Sequence, residues 1–303
     1  MRFFDVLQLM LTIFFAIAAG YYANRKGFMG GQTDEKVSSI LMNITVPCMT
    51  LGAVLAGDTL PELGEILSVL KVAAVFYGLQ AIFALVLPRF LGGSSGEKGV
   101  WRYALLFSNA VFIGYPVAVG LFGPEALFFA VILALPSGVM AYTLGPLLLV
   151  GVKRFDWKKM FSPCVIASVL SLIFALTRVR LPAIVGESLS FVGDITVPLS
   201  LLLVGSKLAG LPARRIFGTP RLWGLSLARL VVLPAALWLI LRSGGTNSMV
   251  MGIAVIQIAM PVAVNGTMLC IEHGGDIESM AQSTFLSTLL SIVTIPLVAA
   301  VLL

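Results

Sequence analysis

Long apolar blocks, separated by short connections, limit what this chain can fold into more than any other feature. The blocks run to roughly 17 to 25 residues, the length a helix needs to cross about 30 Å of hydrocarbon. Hydrophobic residues make up 59% of the 303 and charged ones 11%, where a soluble domain carries about 25% charged residues. With a mean hydropathy of +1.03, an ordinary soluble globule is excluded. The expected fold is an all-α membrane protein with ten transmembrane helices, at 4–23, 37–56, 66–88, 101–121, 125–150, 162–178, 188–209, 221–241, 247–271 and 278–302. Turn-forming residues such as Gly57 to Pro61, Gly123-Pro124, Leu181-Pro182 and Gly244-Gly245 punctuate the blocks. No connection is long enough to form a separate domain.

The net charge of +6 does not imply nucleic acid, because the basic residues lie in the connections and read as topology signals. One side collects fourteen of the 20 Lys and Arg, the other five, with Arg229 left inside a span. That asymmetry puts both termini on the extracytoplasmic side. A cleaved leader is the alternative for the N-terminus, but the first apolar run is long and Arg25-Lys26 follow it, so a retained span is expected. Cys48, Cys164 and Cys270 stand singly and read as structural thiols. The lone histidine, His273, gives a metal site or a catalytic triad little material, and no P-loop or dinucleotide fingerprint is present. The sequence predicts no metal, no cofactor and no enzyme.

Two short sequences recur. Ile44-Thr45-Val46-Pro47 returns 151 residues later as Ile195-Thr196-Val197-Pro198, and Pro116-Val117-Ala118-Val119 returns 145 residues later as Pro261-Val262-Ala263-Val264. The near-common offset predicts a duplication, 1–150 and 151–303. With five spans in each copy, the second enters the membrane from the opposite side, which gives two inverted five-helix repeats, a frequent architecture of secondary transporters.

A proline within a span removes one backbone donor and frees a carbonyl that lipid cannot satisfy. Gly114 and Gly120 flank Pro116, and Asn265-Gly266 follow Pro261. The matched pair therefore predicts broken helices at spans four and nine rather than plain kinks. Asn109, Tyr115, Gln257 and Asn265 lie close to these breaks as candidate ligand contacts, with interhelical hydrogen bonding as the bland alternative. Gln257, Pro261 and Asn265 share a face if the helix persists. Asn43 and Asp194 precede the two Ile-Thr-Val-Pro copies. Asp194 is the one carboxylate well inside an expected span, which makes it a proton-coupling candidate, with Lys207 and Arg229 as potential partners or Arg229 as counter-ion to an anionic substrate.

These motifs, Asn43 to Pro47, Asn109 with Gly114-Tyr115-Pro116, and Gln257 through Pro261 to Asn265, resemble those of the auxin efflux carrier family in its compact bacterial form, and the resemblance covers essentially the whole chain. It implies a fold similar to that of the bile acid sodium symporters. Spans 1, 2, 6 and 7 would form a scaffold domain, and spans 3–5 and 8–10 a transport domain whose fourth and ninth helices cross at Pro116 and Pro261. It further implies elevator-type transport of small organic anions across the inner membrane. The absence of a carboxylate from the two crossover segments favours proton coupling or uniport over sodium symport. Three alternatives stay open: a sodium-coupled symporter, a channel, and a ligand sensor without active transport. A homodimer is also open.

Overall fold

The computed structural model describes residues 3–55, 63–151, 162–179, 181–210 and 219–303. Among these, the chain forms twelve helices: α1 (Phe3–Arg25), α2 (Gly31–Leu55), α3 (Leu63–Leu91), α4 (Ser95–Leu106), α5 (Ala110–Phe122), α6 (Ala126–Val150), α7 (Pro163–Thr177), α8 (Ala183–Ala209), α9 (Pro220–Arg242), α10 (Ser248–Ile258), α11 (Asn265–His273) and α12 (Ile277–Leu302). Five of them, α2, α3, α8, α9 and α12, are singly long and apolar enough to cross a membrane. A sixth, α6, bends by 51° between Ala126–Ala141 and Thr143–Val150. The expected fourth span is two helices, α4 and α5, and the expected ninth is α10 and α11. Of the basic residues used for orientation, Arg2, Lys153, Arg154, Lys158, Lys159, Arg180, Arg214 and Arg215 lie outside the described residues.

Proline shapes the helix interiors in a recurrent way. Five-residue π turns occupy Leu41–Thr45, Ala110–Gly114 and Ala228–Val232, and each ends two residues before a proline, at Pro47, Pro116 and Pro234. The proline ring clashes with the carbonyl four residues earlier and offers it no N–H. Widening the preceding turn relieves the clash and re-aims the carbonyls. Near Pro198, α8 instead makes a two-residue turn at Asp194 and Ile195. Neighbouring helices serve the released acceptors. Ser200 Oγ donates to the Phe112 carbonyl (3.2 Å), the group that Pro116 deprives of its donor, and Cys164 Sγ donates to the Met42 carbonyl (2.8 Å) in the π turn of α2.

Four helices pack closely through small residues. Along α1 and the second half of α8, Gly20 meets the Leu202 main chain and Gly205 meets that of Ile17, so that a Cβ at either position would collide with backbone. The second half of α2 packs on the first half of α8 and on α7, and Ser171 Oγ donates to the Thr50 carbonyl (3.0 Å). Close backbone approach of this kind drives helix association in lipid, where apolar surface supplies no net force. The neighbouring ends of α1, α2 and α8 are tied by Asp34. Its buried carboxylate accepts from Ser206 Oγ (2.7 Å) and from the Gly30 N–H (2.8 Å), while Asn24 Nδ2 donates to Ser206 (3.0 Å). The sequence reading missed this carboxylate because α2 begins at Gly31, six residues before the expected span.

The remaining helices surround the α4/α5 and α10/α11 pairs. Trp101, Tyr103 and Phe107 sit in the main core with Phe129, Ile258 and Val262. A second apolar cluster joins Ile13, Ile17, Leu41 and Leu203 to Phe112, Ile113, Val117 and Met260. It seals α1, α2 and α8 against the crossing.

Candidate binding site at a helix crossing

The interruptions at 107–109 and 259–264 meet each other. Ser108 and Val262 form an isolated antiparallel bridge. The Asn109 N–H donates to the Pro261 carbonyl (2.8 Å), and the Ala263 N–H donates to that of Phe107 (3.2 Å). Each chain thus satisfies main-chain groups that the other's break exposes, as a buried, non-helical segment must. Ser287 of α12 supports the junction by accepting from the Val262 N–H (3.0 Å).

Four helix ends converge here, the C-terminal ends of α4 and α10 and the N-terminal ends of α5 and α11. Asn109 is the N-cap of α5, yet its side chain makes no capping bond, and its buried Nδ2 has no partner among the described residues. Val264, the N-cap of α11, has no polar side chain to cap with. Asn265 opens that helix, half-buried, and its Oδ1 accepts from the Tyr103 hydroxyl (2.9 Å). The two asparagines therefore occupy corresponding places, each at the start of the half-helix that leaves the crossing. Helix N-termini present orphan N–H groups and partial positive charge, a combination suited to an anion.

Pro261 lies in the junction as expected. Pro116 does not: the chain is already helical from Ala110, so Pro116 is buried one turn and more into α5, and the break falls seven residues before it. The Pro-Val-Ala-Val copies are accordingly not structural equivalents, and Gly120, exposed near the far end of α5, is not the counterpart of Asn265. Tyr115, next to Pro116, is buried in the main core. The expected common face of Gln257, Pro261 and Asn265 does not form, because α10 ends at Ile258. Gln257 is fully buried and turns its Nε2 to the Ala130 carbonyl of α6 (2.9 Å), leaving Oε1 without a partner among the described residues.

Arg229 is fully buried on the π turn of α9. Its Nε donates to the Met260 carbonyl (3.1 Å) and its Nη1 to the Leu105 carbonyl (2.7 Å), so it reaches into the crossing from the side of the C-terminal ends. It does not pair with Asp194, which is exposed at the turn of α8 and forms no ion pair among the described residues. Lys207 lies in the field of Asp34 and Glu35 instead. Asn43 is exposed and bonds back to Ser39 of its own helix, by 2.8 Å to the carbonyl and 3.2 Å to the hydroxyl. Neither Asn43 nor Asp194 enters the crossing. Tyr103, Ser287 and Ser200 were missed, since a hydroxyl in an apolar run carries no positional signal until its acceptor is known.

The sequence profile of the membrane transport protein family matches residues 5–154 and 147–299. An uncharacterized transporter of Methanothermobacter thermautotrophicus is 26% identical over 307 residues, covering 100% of both chains. An uncharacterized transporter of Methanocaldococcus jannaschii is 24% identical over 305 residues, covering 96% of this chain and 97% of its own. Matched along nearly its whole length, this multi-pass helical chain is a transporter and not an enzyme, and it belongs to the membrane transport protein family, the group to which its auxin-carrier motifs assigned it.

Proposed function

We propose that this transporter moves small organic anions across the inner membrane by alternating access. In this reading the chain crosses the bilayer ten times in two inverted five-helix repeats, 1–150 and 151–303. The α1, α2, α7 and α8 group, joined by small-residue contacts, is the scaffold. The helices around the crossing are the part that moves, in the manner of an elevator.

The observation that carries the proposal is the start of α5. Its first N–H groups have no side-chain cap, and the amide of Asn109 is buried there with Nδ2 unspent. A carboxylate is the ligand such an end takes best, because charge-assisted bonds to N–H groups are short and strong. Of the carboxylates among the described residues only Asp34 is buried, and it is held by Ser206 and Gly30 at the ends of α1, α2 and α8. This favours uniport or proton coupling over sodium symport, with Asp194 as the proton-acceptor candidate.

Proteoliposome uptake of radiolabelled indole-3-acetate, malonate and malate tests the site. Asn109→Ala and Asn265→Ala should each lower uptake of the transported anion by about tenfold or more, the loss of one hydrogen bond to a charged group, with the purified yield unchanged. Unchanged transport in both variants would sink the assignment. Accumulation beyond equilibrium under an imposed proton gradient separates a coupled carrier from a channel.

A further inference from the structure

We propose that Arg229 is the positioning residue that neutralises the carbonyls exposed at the end of α4 and just beyond α10, so that the N-terminal ends of α5 and α11 bias the crossing towards an anionic ligand. The proposal rests on the anion-transport reading only for that last consequence.

The break itself creates the need. In a continuous helix the Asn109 N–H would donate to the Leu105 carbonyl, but here it donates to Pro261. The Leu105 carbonyl, one residue before the last of α4, is left as an orphan acceptor, and the Met260 carbonyl lies in the interruption, two residues beyond Ile258 at the end of α10. Arg229 bonds both with two nitrogens of one planar fork, a geometry that an ammonium cannot copy.

Charge explains why an arginine stands there. A fully buried guanidinium is costly unless it is paired, and no carboxylate pairs with Arg229 among the described residues. Each helix C-terminus carries about half a negative elementary charge. Two of them together offset one guanidinium. Neither N-terminal end has a side-chain cap or an acidic residue in its first turn, so about half a positive charge remains at each. The crossing is thereby biased towards anions even though two of the three nitrogens of Arg229 are already engaged. Two of the three guanidinium nitrogens are taken by main-chain carbonyls, which makes Arg229 a positioning group first; the third, Nη2, is buried without a partner among the described residues and is the one donor of this side chain left to a ligand.

The test needs no substrate. Melting temperatures are measured for the purified full chain in detergent as wild type, Arg229→Lys, Arg229→Met and Arg229→Ala. Arg229→Met should melt lower than wild type by about 10 °C, the scale for stranding one partner of a buried charge interaction. Arg229→Lys should fall between, because its charge persists while only one carbonyl is reached at a time. Millimolar guanidinium should raise the melting temperature of Arg229→Ala, and the neutral isostere urea should not. Equal melting of Arg229→Met and Arg229→Lys would overturn the proposal, and so would equal responses of Arg229→Ala to guanidinium and urea. Should Arg229→Ala not fold, the Lys and Met pair decides alone. Failure here leaves the uptake experiment standing, and failure of uptake leaves this result standing.

Discussion

At the scale of single residues, the described structure works by reassigning main-chain acceptors that proline strands. Pro116 takes the donor from the Phe112 carbonyl, and Ser200 returns one from a helix that is distant in sequence. Ser200→Ala should therefore cost roughly 0.6 to 1 kcal/mol, the usual worth of an interhelical hydrogen bond, and lower the melting temperature by about 2 °C. In a Pro116→Ala background the new amide serves Phe112 locally, and the cost of Ser200→Ala should vanish. A double-mutant cycle of thermal melts measures that coupling, and additive effects would refute it. Asn109 and Asn265 were legible as candidates because an amide within seven residues of a span proline is conspicuous, although the break beside Asn109 itself holds no proline. Arg229 was legible as a buried charge, but its partners were not. Main-chain carbonyls leave no mark on the sequence, whereas the carboxylate Asp194 suggested a pairing that does not form.

Among the helices, the apolar blocks located the elements to within a few residues except at the starts of α2, α4 and α8, which begin five or six residues before their expected spans, and around the two interruptions. The reason is physical: hydropathy measures what lipid tolerates, and a buried junction whose groups bond one another is as apolar to that measure as a helix. Sequence repetition was also a weaker guide than it looked. The Pro-Val-Ala-Val match placed the break in the wrong turn of the fourth span, because proline in α5 is absorbed by a π turn and not by a break. Glycine, by contrast, marks real contact in the α1–α8 pair. Gly205→Ala should force the two backbones apart and cost about 1 to 3 kcal/mol, as overpacking does. Gly78→Ala on α3, where a Cβ meets nothing within 4 Å, should leave stability unchanged. Thermal melts of the two variants side by side check the difference.

For the whole molecule, the proposed elevator requires α5 to slide past α8, and the Ser200–Phe112 bond spans that boundary. The bond can then exist in only one of the end states. Cysteines replacing Ser200 and Phe112, in a background with Cys48, Cys164 and Cys270 removed, should report this when joined by a bifunctional thiol reagent. Uptake should fall to the background of empty vesicles and return when the cross-link is cleaved, while ligand-induced thermal shifts persist. Uptake unaffected by the cross-link would mean that α5 and α8 move together. The junction where Ser108 meets Val262 carries a consequence of another kind. Main-chain bonds between the two chains do not depend on which side chains stand there. Side chains around the crossing can thus change without loss of those bonds, which leaves selectivity open to retuning while the crossing itself persists.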